Sequence, residues 1–251
     1  MKNILYLAYL VPLFPLIGFL INGLGRNYLS KTLTGIIGSG SILASFAVSI
    51  WLFLQVKSMG HGEVISYFPF INVGNLHIDF AFQIDQLSSI FLLIITGIGF
   101  LIHVYSTSYM HDEKPNHFAR YFAYLNLFVF SMLLLVMGAN YVILFIGWEG
   151  VGLCSYLLIG FWFKKDEYNK AATKAFVMNR IGDLAFLIAI FWLINKLGTV
   201  TYSEVFSYAN IQRLSQTDIT VITLLLFVGA TGKSAQIPLY TWLPDAMAGP
   251  T

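Results

Sequence analysis

Four ionisable side chains, Glu149, Arg180, Asp183 and Lys233, fall inside stretches that are otherwise apolar enough to cross a membrane. On insertion scales a charge at the centre of a membrane helix costs about 2.5–3.5 kcal/mol, so such residues persist where they pair or line a polar path. Glu149 lies in Ile146-Gly-Trp-Glu-Gly-Val-Gly152, with Gly147, Gly150 and Gly152 around it. Small residues let a neighbouring backbone come close. Burial favours a protonated carboxyl and a nearby cation favours the carboxylate. A group balanced between the two can load and release a proton.

Arg180 and Asp183 lie in Asn179-Arg-Ile-Gly-Asp183. Their i, i+3 spacing puts them on one helix face, where they can pair locally. Asn179 and Asp183, at i, i+4, also share a face. The plainer reading is a neutralised pair that only orients the helix. Lys233 lies in Gly229-Ala-Thr-Gly-Lys-Ser-Ala-Gln-Ile-Pro238, which superficially resembles a phosphate loop. That motif needs a glycine where Phe227 stands. The segment also follows the apolar run Val221 to Val228. A helix interrupted at membrane depth fits better, with Gly229, Gly232 and Pro238 as breakers. Thr231, Ser234 and Gln236 could then serve freed backbone groups or hold water. Broken helices with polar residues at depth mark ion pathways in transporters. A lysine and a glutamate on neighbouring helices would form an electrostatic switch. The alternative is a fixed Glu149–Lys233 ion pair with no role in transport.

Other polar residues carry weaker signals. His103, in Leu101-Ile-His-Val-Tyr-Ser106, could relay protons or serve as a hydrogen-bonded packing residue. His111 and His117 flank Asp112-Glu113-Lys114-Pro115, a solvated loop with no zinc-ligand spacing, so no metal site is expected. Cys154, the one cysteine, rules out a disulfide framework and a cysteine-held iron–sulfur cluster within the chain. It reads as a small helix-packing residue.

The elements that must position these groups follow from composition. The 251 residues are 57% hydrophobic and only 10% charged, against about a quarter charged in soluble domains. Mean hydropathy is +0.74. The net charge of +2 is too small to suggest a nucleic-acid partner. Seven windows are long enough to span a bilayer: 4–23, 33–55, 87–108, 121–138, 141–163, 172–195 and 219–243. The first is a retained helix, since its run is too long for a signal peptide and no cleavage site follows. Loops 1–2, 3–4 and 5–6 hold Arg26, Lys31, Lys114, Arg120, Lys164, Lys165, Lys170 and Lys174. The opposite side holds Lys2, Lys57, Lys196 and Arg213. The positive-inside rule puts the N-terminus outside. Between 57 and 86, the alternation in Leu76-His-Ile-Asp-Phe-Ala-Phe-Gln-Ile84 predicts a strand in an outer-face hairpin, with Gly74-Asn75 as turn material.

The motifs together resemble one family: the large antiporter-like membrane subunits of respiratory complex I (NADH-quinone oxidoreductase subunit L in bacteria, subunit 5 in mitochondria). The likeness runs through Phe82-Gln-Ile-Asp-Gln-Leu-Ser88, His103-Val-Tyr-Ser106, Gly147-Trp-Glu-Gly-Val-Gly152 and Ser155-Tyr-Leu-Leu-Ile-Gly-Phe-Trp162. It continues through Asn179-Arg-Ile-Gly-Asp183, Gly232-Lys-Ser-Ala-Gln236 and Leu243-Pro-Asp-Ala-Met247, and covers essentially the whole chain.

This resemblance implies an all-α polytopic bundle with a short outer-face β-hairpin and a broken helix near the C-terminus. It divides the chain into an N-terminal helix pair (1–56), the outer loop (57–86), a third helix with its inner loop (87–118) and an incomplete antiporter-like repeat (119–251). It implies proton translocation, with the family's glutamate at Glu149, its broken-helix lysine at Lys233, and Asp183 and Arg180 modulating that lysine. NADH, FMN, iron–sulfur clusters and quinone are expected in partner subunits and no cofactor in this chain, which would be an enzyme only as part of the complex. Other membrane-arm subunits, lipid, protons and water are the expected partners. A bacterial inner membrane is the expected location, with the mitochondrial inner membrane as the alternative. Family members are longer, so the sequence is read as an N-terminal fragment. Two competing readings are a multisubunit monovalent cation/proton antiporter subunit, which shares this module, and a non-transporting scaffold or truncated product.

Overall fold

An apolar run of about twenty residues can satisfy its backbone in lipid only as a helix or as part of a closed barrel, and helices dominate the computed structural model, which describes residues 4–74 and 76–250. A 3₁₀ turn, Ile4–Tyr9, leads into α1 (Leu10–Leu24). It is followed by α2 (Lys31–Met59), α3 (Gln86–Tyr109), α4 (Pro115–Met137), α5 (Tyr141–Ile159) and α6 (Asp166–Leu197). Among the described residues these make six segments long and apolar enough to cross a membrane. Their starts follow side-chain chemistry. Ser30 caps α2 by accepting from Leu33 N, and Asn140 caps α5 by accepting from Val142 N and Ile143 N. Asp85 and Ser88 form a reciprocal capping box on α3, and Pro115 opens α4 where no N–H is needed.

The predicted seventh window, 219–243, is not one helix. After the short helices α7 (Tyr202–Val205) and α8 (Tyr208–Arg213), α9 (Gln216–Lys233) ends at the lysine itself. An irregular turn follows, with Ala235 in the left-handed region at φ 48° and a cis peptide before Pro238. Only the four-residue α10 (Leu243–Ala246) resumes helical geometry. The interruption expected from sequence is present, but Gly229 and Gly232 lie inside α9 and not at its break.

The outer loop forms a hairpin of β1 (Glu63–Val73) and β2 (Leu76–Ile84), joined through Gly74 at φ 57°. Asn75 of the predicted turn lies outside the described residues. Phe68 stacks on Phe80 with centroids 5.0 Å apart, and Ser66 Oγ donates to Asp79 Oδ2 at 2.6 Å.

Two compact units make up the chain. The first comprises residues 1–65, 81–138 and 146–154. Within it α1 packs on α2 and α4, and α3 packs on α2 and α4. Ile42, Leu52, Leu92, Phe118, Phe122 and Leu133 are fully enclosed or nearly so. The second comprises residues 66–80, 139–145 and 155–251. Its centre is α6 against α9, with Ala189, Leu193, Leu197, Val205 and Ile222 forming one apolar cluster. Leu101, Leu184, Phe191 and Phe227 are exposed, as suits surfaces that meet lipid.

Candidate functional site

The second unit brings two of the four ionisable residues together through glycine contacts. A Cβ on Gly182 of α6 would lie 3.1 Å from the Gly229 carbonyl and 3.3 Å from Gly232 Cα. A Cβ on Gly232 would lie 3.4 Å from Gly182 Cα. The two backbones therefore touch with no side chain between them. Asp183 follows Gly182 and Lys233 follows Gly232, so the contact carries both charges to one level. Lys233 Nζ stands 3.9 Å from Asp183 Oδ1, and the two side chains are 17% and 4% exposed. That distance gives Coulomb attraction without a direct hydrogen bond between those atoms.

Asn179 lies one turn before Asp183 and is buried. Its Nδ2 donates to the Ala175 carbonyl at 2.7 Å. Its Oδ1 is enclosed with no hydrogen-bond partner. A buried acceptor left over costs about 1–3 kcal/mol unless water or a moving donor reaches it. Arg180 is exposed, and its guanidinium lies 4.6 Å above the Phe176 ring.

Glu149 belongs to the first unit, on the stretch of α5 that packs on α4. A Cβ on Gly147 would lie 2.6 Å from the Ser131 carbonyl and 2.7 Å from Leu135 Cα, and one on Gly150 would meet the Ser131 side chain. Gly147 and Gly150 thus let the two backbones approach on either side of a half-buried Glu149. His103 lies in the same unit and is buried. Its Nδ1 is 2.7 Å from the Gly99 carbonyl, which can only accept, so that nitrogen carries the proton. Nε2 then accepts from Asn126 Nδ2 at 3.3 Å, and Asn126 Oδ1 accepts from Ser41 Oγ at 2.6 Å. Asn126 also donates to the Phe122 carbonyl at 3.0 Å.

Asn126 carries no charge, so nothing in the sequence sets it apart inside its span. At the start of α9, Asp218 Oδ1 accepts from Trp192 Nε1 at 2.9 Å and lies 3.1 Å from Lys196 Nζ, while Oδ2 accepts from Ser215 Oγ at 2.7 Å. The Ser215 hydroxyl first, then the Trp192 indole and the Lys196 ammonium, hold this carboxyl well below the usual range. A serine three residues before an acid, ahead of an apolar run, was the available signal.

Residues 138–251 match the family described as "NADH:quinone oxidoreductase/Mrp antiporter, TM". Residues 70–122 match "NADH-Ubiquinone oxidoreductase (complex I), chain 5 N-terminus". NADH-quinone oxidoreductase subunit L of Rickettsia felis is 44% identical over 98% of this chain and 38% of its own length. The subunit of the same name from Mycobacterium tuberculosis is 46% identical over 86% of this chain and 34% of its own. The chain therefore spans little more than a third of these relatives. A chain in the structure of the Mrp complex from a Dietzia species superposes with a TM-score of 0.79 at 26% identity, covering 95% of this chain and 25% of that one.

Proposed function

We propose that this chain, which belongs to the family of antiporter-like membrane subunits shared by NADH:quinone oxidoreductase and Mrp antiporters, carries part of a proton-translocating path of complex I. The observation that supports this most is the Asp183–Lys233 pair, buried where α9 stops. At an effective dielectric of about 20, unit charges about 4 Å apart attract by about 4 kcal/mol. Removing each ion from water costs several kcal/mol. The two terms oppose each other and are of the same order, so a modest change nearby can decide whether the ammonium keeps its proton or its partner. Lys233 is the group that releases and regains a proton. Asp183 holds its charged form, Glu149 is the second proton-loading group, and Arg180 tunes the local field from the exposed side of α6. His103 is read as a packing residue, since a relay would need Asn126 to turn its amide. In this reading NADH, FMN, iron–sulfur clusters and quinone belong to partner subunits of the membrane complex. A bacterial inner membrane is the expected site, with the mitochondrial inner membrane as the alternative.

A second reading, a subunit of a monovalent cation/proton antiporter, is favoured by the likeness to the Mrp complex chain. Vesicles holding the assembled complex with the full-length subunit separate the two. NADH-driven proton uptake that needs no sodium and falls on Lys233→Ala supports the first. Uptake that follows an imposed sodium gradient without NADH supports the second. Full uptake with Lys233→Ala contradicts both.

A further inference from the structure

A helix that stops leaves the carbonyls of its last turn without intrahelical partners, and in a membrane no bulk water replaces them. The residues after α9 take up this duty one by one. Ser234 N donates to the Ala230 carbonyl at 2.9 Å, and Gln236 N to the Thr231 carbonyl at 3.0 Å. The Gly232 carbonyl lies 3.4 Å from Ala235 N, and its shorter bond comes from a side chain ten residues on: Trp242 Nε1 donates to it at 3.0 Å in a buried bond. The Trp242 ring is packed with Ile159, Ala171, Ala172 and Ala175 in one apolar cluster, which fixes the direction of that N–H.

The Gly232 carbonyl is half of the peptide group whose nitrogen belongs to Lys233. That peptide is gripped from two sides. Gly182 of α6 lies against Gly232 with no side chain intervening, and the Trp242 indole holds its oxygen. We infer that Trp242 is the positioning residue for Lys233: its N–H pins the end of α9 so that the lysine leaves the helix level with Asp183. Without that donor the carbonyl keeps only the long bond from Ala235 N, unless water reaches it or α9 winds a further turn through 234–238. Either change loosens the peptide that carries the lysine. Gly182 sets the approach and Trp242 sets the stop.

This inference rests on the reading of Lys233 as a proton-transfer group, and its test keeps the two apart. The assembled complex containing the full-length subunit is compared in vesicles as wild type, Trp242→Phe, Gly182→Ala and Lys233→Ala. Proton uptake per NADH oxidised and its pH profile are the readouts, with assembly followed on native gels. Trp242→Phe keeps most of the ring packing and removes only the donor. It is expected to lower uptake by about fivefold or more, as loss of one buried hydrogen bond implies, and to displace the pH profile by about half a unit or more. Gly182→Ala, which separates the same two backbones, is expected to displace the profile as well and serves if Trp242→Phe assembles poorly. Wild-type uptake and pH profile in Trp242→Phe, with uptake lost in Lys233→Ala, overturn the inference and leave the function reading standing. A lower yield of complex with unchanged uptake per complex also overturns it, since that is packing alone. Full uptake in Lys233→Ala overturns the function reading and the inference together.

Discussion

The His103 network of the first unit and the Asp183–Lys233 pair of the second hold buried polar side chains in opposite ways. In the first, His103, Asn126 and Ser41 form an uncharged network in which both imidazole nitrogens and both amide atoms have partners. Asn22 Oδ1 and Thr34 Oγ1 are enclosed there without hydrogen-bond partners, but they are neutral. In the second, an ammonium and a carboxylate sit 3.9 Å apart beside a spare amide oxygen and the end of a helix. A completed network resists change, because any movement leaves a polar atom unserved in a low-dielectric interior. The ion pair, at 3.9 Å, is held by Coulomb attraction at more than hydrogen-bond distance. On the proposed function, the completed network holds helices together and the open ion pair acts.

Asp183→Asn keeps the volume but removes the carboxylate 3.9 Å from Lys233 Nζ. Removing one partner of a buried pair costs about 3–5 kcal/mol when the other stays charged. The variant is expected to lose most proton uptake and to melt earlier in detergent. Uptake and melting like wild type would remove the ion pair from the account. Asn126→Leu has the next largest effect, because it strips His103 Nε2 and Ser41 of their shared partner. About 2–3 kcal/mol of stability should be lost, seen as earlier melting, while uptake per assembled complex stays near wild type. A specific loss of uptake would restore His103 as a relay.

Asp218→Asn gives a smaller effect, confined to stability at the start of α9. The Asp218 carboxyl is held below its ordinary range, so its contribution is fully present above the unfolded value of about 3.9. It is lost as pH falls through the lower folded value. Wild type and Asp218→Asn should therefore differ most in melting temperature above about pH 4 and draw together progressively as pH falls below it. Equal melting temperatures at neutral pH would show that the Ser215, Trp192 and Lys196 contacts add nothing.

Sequence pattern made much of this architecture legible, for a physical reason. Lipid forces helices wherever apolar runs are long, so six of the seven windows became continuous helices and the seventh showed its interruption. Alternation over 76–84 marked the strand. Charges at depth are so costly that Lys233 and Asp183 stand out in sequence alone. The details of the break were not legible. Glycines look like breakers in sequence, yet Gly229 and Gly232 sit inside α9 because their lack of a side chain is used for contact with Gly182. Trp242 gives no signal in sequence, because its partner is a carbonyl freed only once the helix has stopped. Asn126 gave no signal because its importance lies in three partners spread over α2, α3 and α4.

In the proposed function the charged pair at the end of α9 moves protons while the neutral network around His103 does not. Proton uptake per NADH oxidised tests it directly, in vesicles of assembled complex carrying the full-length subunit as Lys233→Ala or as His103→Gln. Loss of this subunit's share of uptake in Lys233→Ala, with wild-type uptake in His103→Gln, is the expected result. Wild-type uptake in Lys233→Ala, or lost uptake in a normally assembled His103→Gln complex, would contradict it.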